Sequence, residues 1–331
     1  MAEVIPVFLN SFAPYLLVFL ISFLSSFVLV KLLIPRLKRE GMVGKDENKP
    51  GAPEIAEMGG IGIIAGFTAG ILLAIFMDTF FGIELDLIYL LVTIITAHSI
   101  AFIGMVDDMF GIPQRVKALL PLFAAIPLVA VKAGTTLMII PFFGPVQLGI
   151  IYVLVLVPLA ISVCSNLTNM LAGFNGLEAG LGIIMFGTLF LVAFSHGSLN
   201  VAIISLAMFA ALMGFFIFNH YPASVFPGDV GNLSIGVVFA TTIIIGSFES
   251  AGIILMLPYI VDFFIKAING FPHTHQDLRN GKLYPKDGKV KGLVHVIMKL
   301  FGGLSEKRLV IVFLAIEGLI GLIVLIMYFK I

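Results

Sequence analysis

The sequence predicts an all-α, polytopic integral membrane protein with about ten transmembrane helices and a cytoplasmic-face active site, on three observations. Its 331 residues are 60% hydrophobic, with a mean hydropathy of +1.14, against roughly 45–50% apolar for a soluble domain. The apolar residues come in repeated blocks of about twenty, the length that crosses a hydrocarbon layer of roughly 30 Å. The short alternating strands of a membrane barrel are not seen in the sequence. The charges gather in alternate connections, although 19 Lys and Arg balance 19 Asp and Glu over the whole chain. That balance gives no sign of a nucleic-acid partner, whereas the placement of the charges sets an orientation.

Ten blocks fit this length, at roughly 8–34, 59–77, 87–106, 117–133, 148–165, 178–195, 200–218, 232–248, 250–268 and 308–329. The first is longer than a secretory signal and lacks a basic flank before it, so it is expected to remain as a helix. Between the eighth and ninth, Ser247, Glu249 and Ser250 mark either a tight turn or one broken helix in which Glu249 is paired. With ten spans both termini share one face. Seventeen of the nineteen Lys and Arg residues then fall on or beside the other face, and only Lys132 and Lys330 on the terminal one. The positive-inside rule therefore places the loops 35–58, 107–117, 166–177, 219–231 and 269–307 in the cytoplasm, facing inward from a lipid bilayer. Residues 1–331 read as a single transmembrane domain that includes the large loop 269–307. Cys164 is the one cysteine, which excludes an internal disulfide and a cysteine metal cluster.

The polar residues of these loops are the candidates for chemistry. The central stretch NLTNMLAGFNGLEAGLG, 166–182, sets Asn166, Asn169 and Asn175 among glycines. Taking carboxamides out of water is costly, so in such a setting they usually line a cavity or bind something. Asn166 and Asn169, three apart, share a helical face if the preceding span continues. Each offers an uncharged oxygen to a metal or an amide donor to phosphate. Glu178 adds a buried acceptor, and the glycines let backbone approach a ligand. Packing of small residues between membrane helices explains the glycines but not the asparagines.

The other loops supply charge. In PRLKREGMVGKDENKPGAPEIAEMGG, Lys45, Asn48 and Lys49 offer a phosphate or nucleotide contact, the alternative being a solvated inside loop. In GMVDDMFGIPQRVK, the adjacent Asp107 and Asp108 repel one another, and a cation or a basic partner relieves that cost. Together with phosphate oxygens they suit the all-oxygen shell of Mg²⁺; Arg115 or Lys117 as charge partner is the structural alternative. FNHYPASVFPGDVGNLSIG presents His220, Asp229 and Asn232, with Asp229 either a helix cap or a metal ligand. In the largest loop, His273 and His275 point the same way in an extended segment and can grip one phosphate or sugar, and the run 290–300 has amphipathic helical character.

All of these groups fall on one face, while the other has only the brief links 78–86, 134–147 and 196–199. A channel or transporter needs selective features at the midplane or both mouths, and a noncatalytic scaffold needs none of these carboxylates. One-sided clustering suggests chemistry between a soluble substrate and a lipid. A divalent metal with Asp107, Asp108, Asn169 and Asp229 suits phosphoryl transfer, whose main tasks are positioning and neutralising phosphate charge.

The motifs ENKPGAPEIAEMGG, GMVDDMFGIPQRVK, NLTNMLAGFNGLEAG, FPGDVGNLSIG and PHTHQDLR occur in this order over nearly the whole chain. In them the sequence resembles the polyprenyl-phosphate N-acetylhexosamine-1-phosphate transferase family. Asn175 resembles the eukaryotic and archaeal branch, and His273 and His275 the bacterial one, a mixture that points to an archaeal cell-membrane enzyme; a eukaryotic one would lie in the endoplasmic reticulum. The resemblance implies transfer of N-acetylglucosamine 1-phosphate from UDP-N-acetylglucosamine to dolichyl phosphate, or use of a related UDP-N-acetylhexosamine or polyprenyl phosphate. It implies Mg²⁺, with Mn²⁺ as an alternative, held by Asn169 and Asp229. Asp107 and Asp108 would flank the reacting groups. Lys117 would contact a phosphate, Asn175 would help hold uracil, and His273, His275 and Arg279 would contact the diphosphate or sugar. Glu57 would support the first loop, with Lys49, Asn166 and Glu178 among the substrate-binding groups. Relatives also suggest a homodimer.

Overall fold

The computed structural model describes residues 12–140 and 144–329. Its helices are α1 (Ala13–Arg39), α2 (Gly60–Phe81), α3 (Leu87–Phe110), α4 (Gln114–Leu119), α5 (Pro121–Ala124), α6 (Ile126–Ala130), α7 (Val157–Met170), α8 (Leu177–Ser195), α9 (Leu199–Asn219), α10 (Gly228–Gly246), α11 (Glu249–Leu255), α12 (Leu257–Ile268), α13 (Leu293–Leu300) and α14 (Glu306–Tyr328). A π-helical turn, Tyr152–Leu156, runs directly into α7. Three small antiparallel ribbons interrupt this all-helical pattern in the connections. They are β1 (Val43–Lys45) with β2 (Glu54–Ala56), β3 (Leu137–Ile140) with β4 (Gly144–Gln147), and β5 (Gln276–Arg279) with β6 (Lys282–Pro285).

Among the described residues eight helices are long and apolar enough to cross a membrane: α1, α2, α3, the 152–170 helix, α8, α9, α10 and α14. The pair α11 and α12, bent by 62°, makes a ninth if it counts as one span. The expected fourth span, 117–133, is not one continuous helix. Pro121 and Pro127 each lack the N–H that would close a helical hydrogen bond, so the run divides into α4, α5 and α6. Leu120 and Ala125 at the junctions keep right-handed helical dihedrals, so the chain direction is interrupted without a loop. At the other uncertain boundary, Ser247 takes a left-handed conformation that closes α10, and α11 starts two residues later. The break therefore lies inside the ninth span, before Pro258, and Glu249 is paired, accepting from the Tyr152 hydroxyl at 2.5 Å. The first four residues of the expected span 8–34, and Lys330, lie outside the described residues.

Burial ranks the helices. In α10, 89% of the apolar window is buried, against 22% in α1 and 33% in α14, so α10 is the axis and the terminal helices lie at the periphery. Leu20, Leu24 and Val28 on α1 are exposed, as expected of a lipid-facing surface. Glycines let the neighbours close on α10. A Cβ on Gly60 of α2 would lie 2.2 Å from the backbone nitrogen of Gly231, and one on Gly104 of α3 would lie 2.5 Å from the Val230 Cα. Only a residue without a side chain permits those crossings. The crossings bring the last turn of α3 and the first turn of α10 to the same end of the bundle. The end of α7 joins them there, as Thr168 donates to the Asn232 carbonyl at 2.8 Å.

Candidate active site

Asp107 and Asp108 end α3 side by side in sequence but point to different partners, because successive helical residues project about 100° apart. Asp107 accepts from the Ile112 backbone N–H at 2.6 Å, and its other oxygen lies 2.5 Å from the Lys117 ammonium. Asp108 reaches across to α10, where its two oxygens accept the N–H groups of Asp229 at 2.7 Å and Val230 at 3.1 Å. It thereby caps the start of a second helix, whose first-turn N–H groups have no intrahelical acceptor and whose dipole favours a negative charge there. Gly228 makes this possible: its φ is +65°, and a Cβ would lie 2.6 Å from an Asp108 oxygen.

Asp229 is consequently presented from the first turn of α10, and its carboxylate meets the same ammonium as Asp107. Lys117 is 7% exposed, turned back from α4 by the bend at Gly111–Pro113. One cation thus serves two carboxyl groups.

Asn232 lies one turn after Asp229 and donates to the Asn169 side-chain oxygen at 3.2 Å. Its own side-chain oxygen is buried and meets no hydrogen-bond donor among the described residues. No group of three His, Cys, Asp or Glu side chains able to hold a metal occurs among the described residues. The oxygens at this point are instead one carboxylate and two carboxamides, from Asp229, Asn169 and Asn232. This hard, all-oxygen set, with one buried oxygen unsatisfied, fits Mg²⁺, which retains waters and takes further ligands from substrate phosphate.

Of these groups Asp229 and Asn232 line a cavity of about 440 Å³, within the range of small-molecule sites, while Asp107, Asp108, Lys117 and Asn169 stand behind them, outside its wall. Its wall comes from four stretches: Gly44–Asn48 with Glu57, Ala172–Phe174 with Glu178, Phe226–Asp229 with Asn232, and His273–Gln276. Burial, reinforced by the charge of Asp229, holds the Glu57 carboxyl above the usual carboxylate range. Glu178 accepts from the Gly173 N–H at 2.5 Å and so closes the central loop. His273 and His275 are exposed at the mouth with ring centres 6.0 Å apart, and His275 Nδ1 lies 3.7 Å from a Glu47 oxygen.

Two expected site residues are placed elsewhere. Asn166 donates to the carbonyls of Ser162 at 2.8 Å and Ala118 at 3.4 Å, joining α7 to α4. Arg279 lies on the exposed ribbon β5–β6, paired with Asp277 at 2.8 Å and 5.9 Å from the Tyr284 ring centre, away from the cavity wall. Lys49 and Asn175 sit behind that wall. The Lys49 ammonium donates to Asp46, to the Asn175 side-chain oxygen at 2.7 Å and to Glu306 at 3.1 Å. Asn175 also donates to Asp46 at 3.1 Å and accepts from the Ala223 N–H at 2.7 Å.

Sequence reasoning missed Glu306, and also Asp262 and Lys266 on α12. Lys266 pairs with Asp262 at 2.7 Å and donates to the carbonyl of Met170, next to Asn169. Asp262 accepts from the Leu293 N–H at 2.7 Å, at the start of α13. His295 is fully buried, accepts from the Lys291 N–H at 3.1 Å, and burial pushes its pKa down. An i,i+4 spacing marks the Asp262–Lys266 pair in the sequence, but nothing local ties it to the central loop.

The model of glycosyl transferase family 4 matches residues 88–247, the interval from α3 to the end of α10. A protein of Saccharolobus solfataricus assigned as a UDP-N-acetylglucosamine–dolichyl-phosphate N-acetylglucosaminephosphotransferase is 38% identical over 316 residues, covering 94% of this chain and 96% of its own. A Sulfolobus acidocaldarius protein assigned the same name is 35% identical over 95% of this chain and 96% of its own. The enzyme of that name from Saccharomyces cerevisiae is 29% identical over 81% of this chain and 72% of its own. The family match takes in the central loop and the start of α10, two of the four stretches of the cavity wall, and with relatives similar over nearly the whole chain it shows that the chain belongs to glycosyl transferase family 4, the polyprenyl-phosphate N-acetylhexosamine-1-phosphate transferases that its loop motifs resemble.

Proposed function

We propose that the protein transfers N-acetylglucosamine 1-phosphate from UDP-N-acetylglucosamine to dolichyl phosphate, giving N-acetylglucosaminyl-diphosphodolichol and UMP. The observation that carries this reading is the Asp107–Lys117–Asp229 cluster, which reaches the wall of a polar cavity through Asp229, in a chain matched over nearly its full length by relatives assigned that reaction. Eight helices, or nine spans with the bent pair α11–α12, are long and apolar enough to cross, and this reading takes the proline-divided run 114–130 as a tenth. The bias of Lys and Arg then turns the cavity toward the cytoplasm, where UDP-sugars are available to a multi-pass membrane protein.

In the reaction a dolichyl-phosphate oxygen attacks the sugar-bearing phosphorus, forming a P–O bond as the bond to UMP breaks. Phosphate monoesters have a second pKa near ~6 and are already anionic at neutral pH, so no strong base is required. Bringing two anions together is the larger barrier. Lys117 is the cation positioned to offset it, by exchanging part of its contact with Asp107 and Asp229 for phosphate oxygens. Asp108 holds Asp229 in place through the α10 backbone. Asn169, Asn232 and Asp229 would hold Mg²⁺, or Mn²⁺, which when bound neutralises diphosphate charge and orients it. His273 and His275 close the mouth over the sugar or diphosphate and limit the access of water, which would otherwise hydrolyse the donor.

Purified protein with Mg²⁺ is expected to release UMP from UDP-N-acetylglucosamine only when dolichyl phosphate is present, together with a new sugar-diphosphate lipid. Substrate movement across vesicles without UMP would replace this reading with transport, and turnover only with another UDP-N-acetylhexosamine would change the donor. His273→Ala and His275→Ala are each expected to lower the initial rate by about tenfold or more through poorer positioning of the donor. Lys286→Ala, in the same loop but outside the cavity wall, is expected to stay within about twofold as a solvated charge. Equal, small effects at all three positions would remove the histidines from the mechanism.

A further inference from the structure

We propose that Glu306, the first residue of α14, is a positioning residue for nucleotide binding, fixing the Lys49 ammonium and the Asn175 backbone and, through them, one wall of the cavity. This inference rests on reading the cavity as the UDP-N-acetylglucosamine site.

Glu306 is 4% exposed and uses both carboxylate oxygens. One accepts the Asn175 backbone N–H at 2.8 Å, and the other accepts from Lys49 at 3.1 Å. Lys49 is thereby held between Glu306 and Asp46, while its ammonium also lies 4.7 Å from the centre of the Tyr221 ring. Asn175 spends its side-chain oxygen on Lys49 and the Ala223 N–H and its amide on Asp46. Three loops far apart in sequence, and the start of the last helix, are thus fastened at one point.

The cavity wall is the other side of this fastening. Asp46 and Asn48 line it from the first loop, Gly173 and Phe174 from the central loop, and Asn48 donates to the Gly173 carbonyl at 2.8 Å. Without Glu306 the two strips remain joined to each other, but their distance from the bundle is no longer fixed by α14. A buried ion pair is weak evidence for stability, since an apolar replacement often does as well. Its directional content is the stronger argument. A carboxylate that binds a lysine with one oxygen and a backbone N–H with the other sets the position of both.

Glu306→Gln separates geometry from folding. The amide oxygen still accepts the Asn175 N–H, while the amide nitrogen turns a donor toward Lys49, which retains Asp46. The expected result is about tenfold weaker binding of UMP to the full-length protein by titration calorimetry, the size of effect that follows when a charge-assisted hydrogen bond behind the wall is removed. The KM for UDP-N-acetylglucosamine should rise to match, with kcat within about threefold and the KM for dolichyl phosphate unchanged. In a Lys49→Met background the same change should add less than about twofold, because it acts through that lysine. Glu306→Asp, which keeps the charge but withdraws it by one methylene, serves the same comparison if the glutamine variant fails to fold. Unchanged UMP affinity, a fall in kcat alone, equal losses for both substrates, or full additivity with Lys49→Met would overturn the proposal. Wild-type protein that binds UMP and UDP-N-acetylglucosamine but gives no lipid-dependent turnover would refute the transferase reading and leave this inference standing. Normal wild-type turnover with undiminished UMP binding in Glu306→Gln would do the reverse.

Discussion

Asp229→Ala is expected to abolish lipid-dependent UMP release, by a factor on the order of 10³ or more, in a protein that remains folded. The expectation of folding is as specific as the loss. Asp108 binds the backbone N–H groups of residues 229 and 230 and not the Asp229 side chain, so the start of α10 keeps its acceptor. Lys117 keeps Asp107 at 2.5 Å, so no buried ammonium is left without a counter-charge. What disappears is the one carboxylate among the oxygens of Asp229, Asn169 and Asn232, and with it the charge that favours a divalent cation there. Initial rates with and without Mg²⁺, alongside thermal unfolding, check both halves. Turnover close to wild type at ordinary Mg²⁺ would remove Asp229 from the mechanism. A collapsed unfolding midpoint would mean that its role is structural.

Lys117→Met is expected to cost both activity and stability, and a second substitution should separate them. The ammonium is nearly buried between two carboxyl groups, and without it Asp107 and Asp229 are left against one another with no cation. Removing one partner from a buried charge cluster costs about 3–5 kcal/mol. The activity loss is expected to be on the order of 10²–10³-fold, since the cation that would meet incoming phosphate is gone. Adding Asp107→Asn removes one of the opposed charges, and the double variant should recover most of the thermal stability while turnover stays low. Recovery of turnover together with stability would show that Lys117 only holds the fold. Recovery of neither would place the cost somewhere other than charge repulsion.

The loop motifs were legible because chemistry at a membrane boundary leaves a compositional mark. Carboxylates and carboxamides in a chain with 11% charged residues stand out, and the structure places Asp107, Asp108, Asn169, Glu178 and Asp229 at one end of the bundle. What a motif does not show is direction. Adjacent Asp107 and Asp108 read as one acidic pair, yet one binds a lysine and the other caps a helix 121 residues later in sequence. Asn166 and Asn169 share a spacing that suggests a shared role, yet Asn166 joins two helices and Asn169 meets Asn232. PHTHQDLR reads as one unit, but His273 and His275 stay at the mouth before β5 begins and Arg279, at the far end of that strand, is carried away on the ribbon.

By itself the sequence determined the helical membrane class, most of the apolar spans and the loops that carry the polar groups. Each of these follows from composition along a short window: a run of about twenty apolar residues has few alternatives in a bilayer, where backbone must satisfy its own hydrogen bonds. The division of the run 114–130 and the bend before Pro258 were not decided there: prolines stand at both, yet Pro35 leaves α1 unbroken, so a residue that cannot donate marks only where a break can form. Only the tertiary structure decided which polar groups meet. Lys49 and Glu306 are 257 positions apart, and Lys117 and Asp229 are 112 apart. Whether such pairs touch depends on how closely the helices pack, which glycines at the crossings with α10 permit and no local pattern of charge reveals.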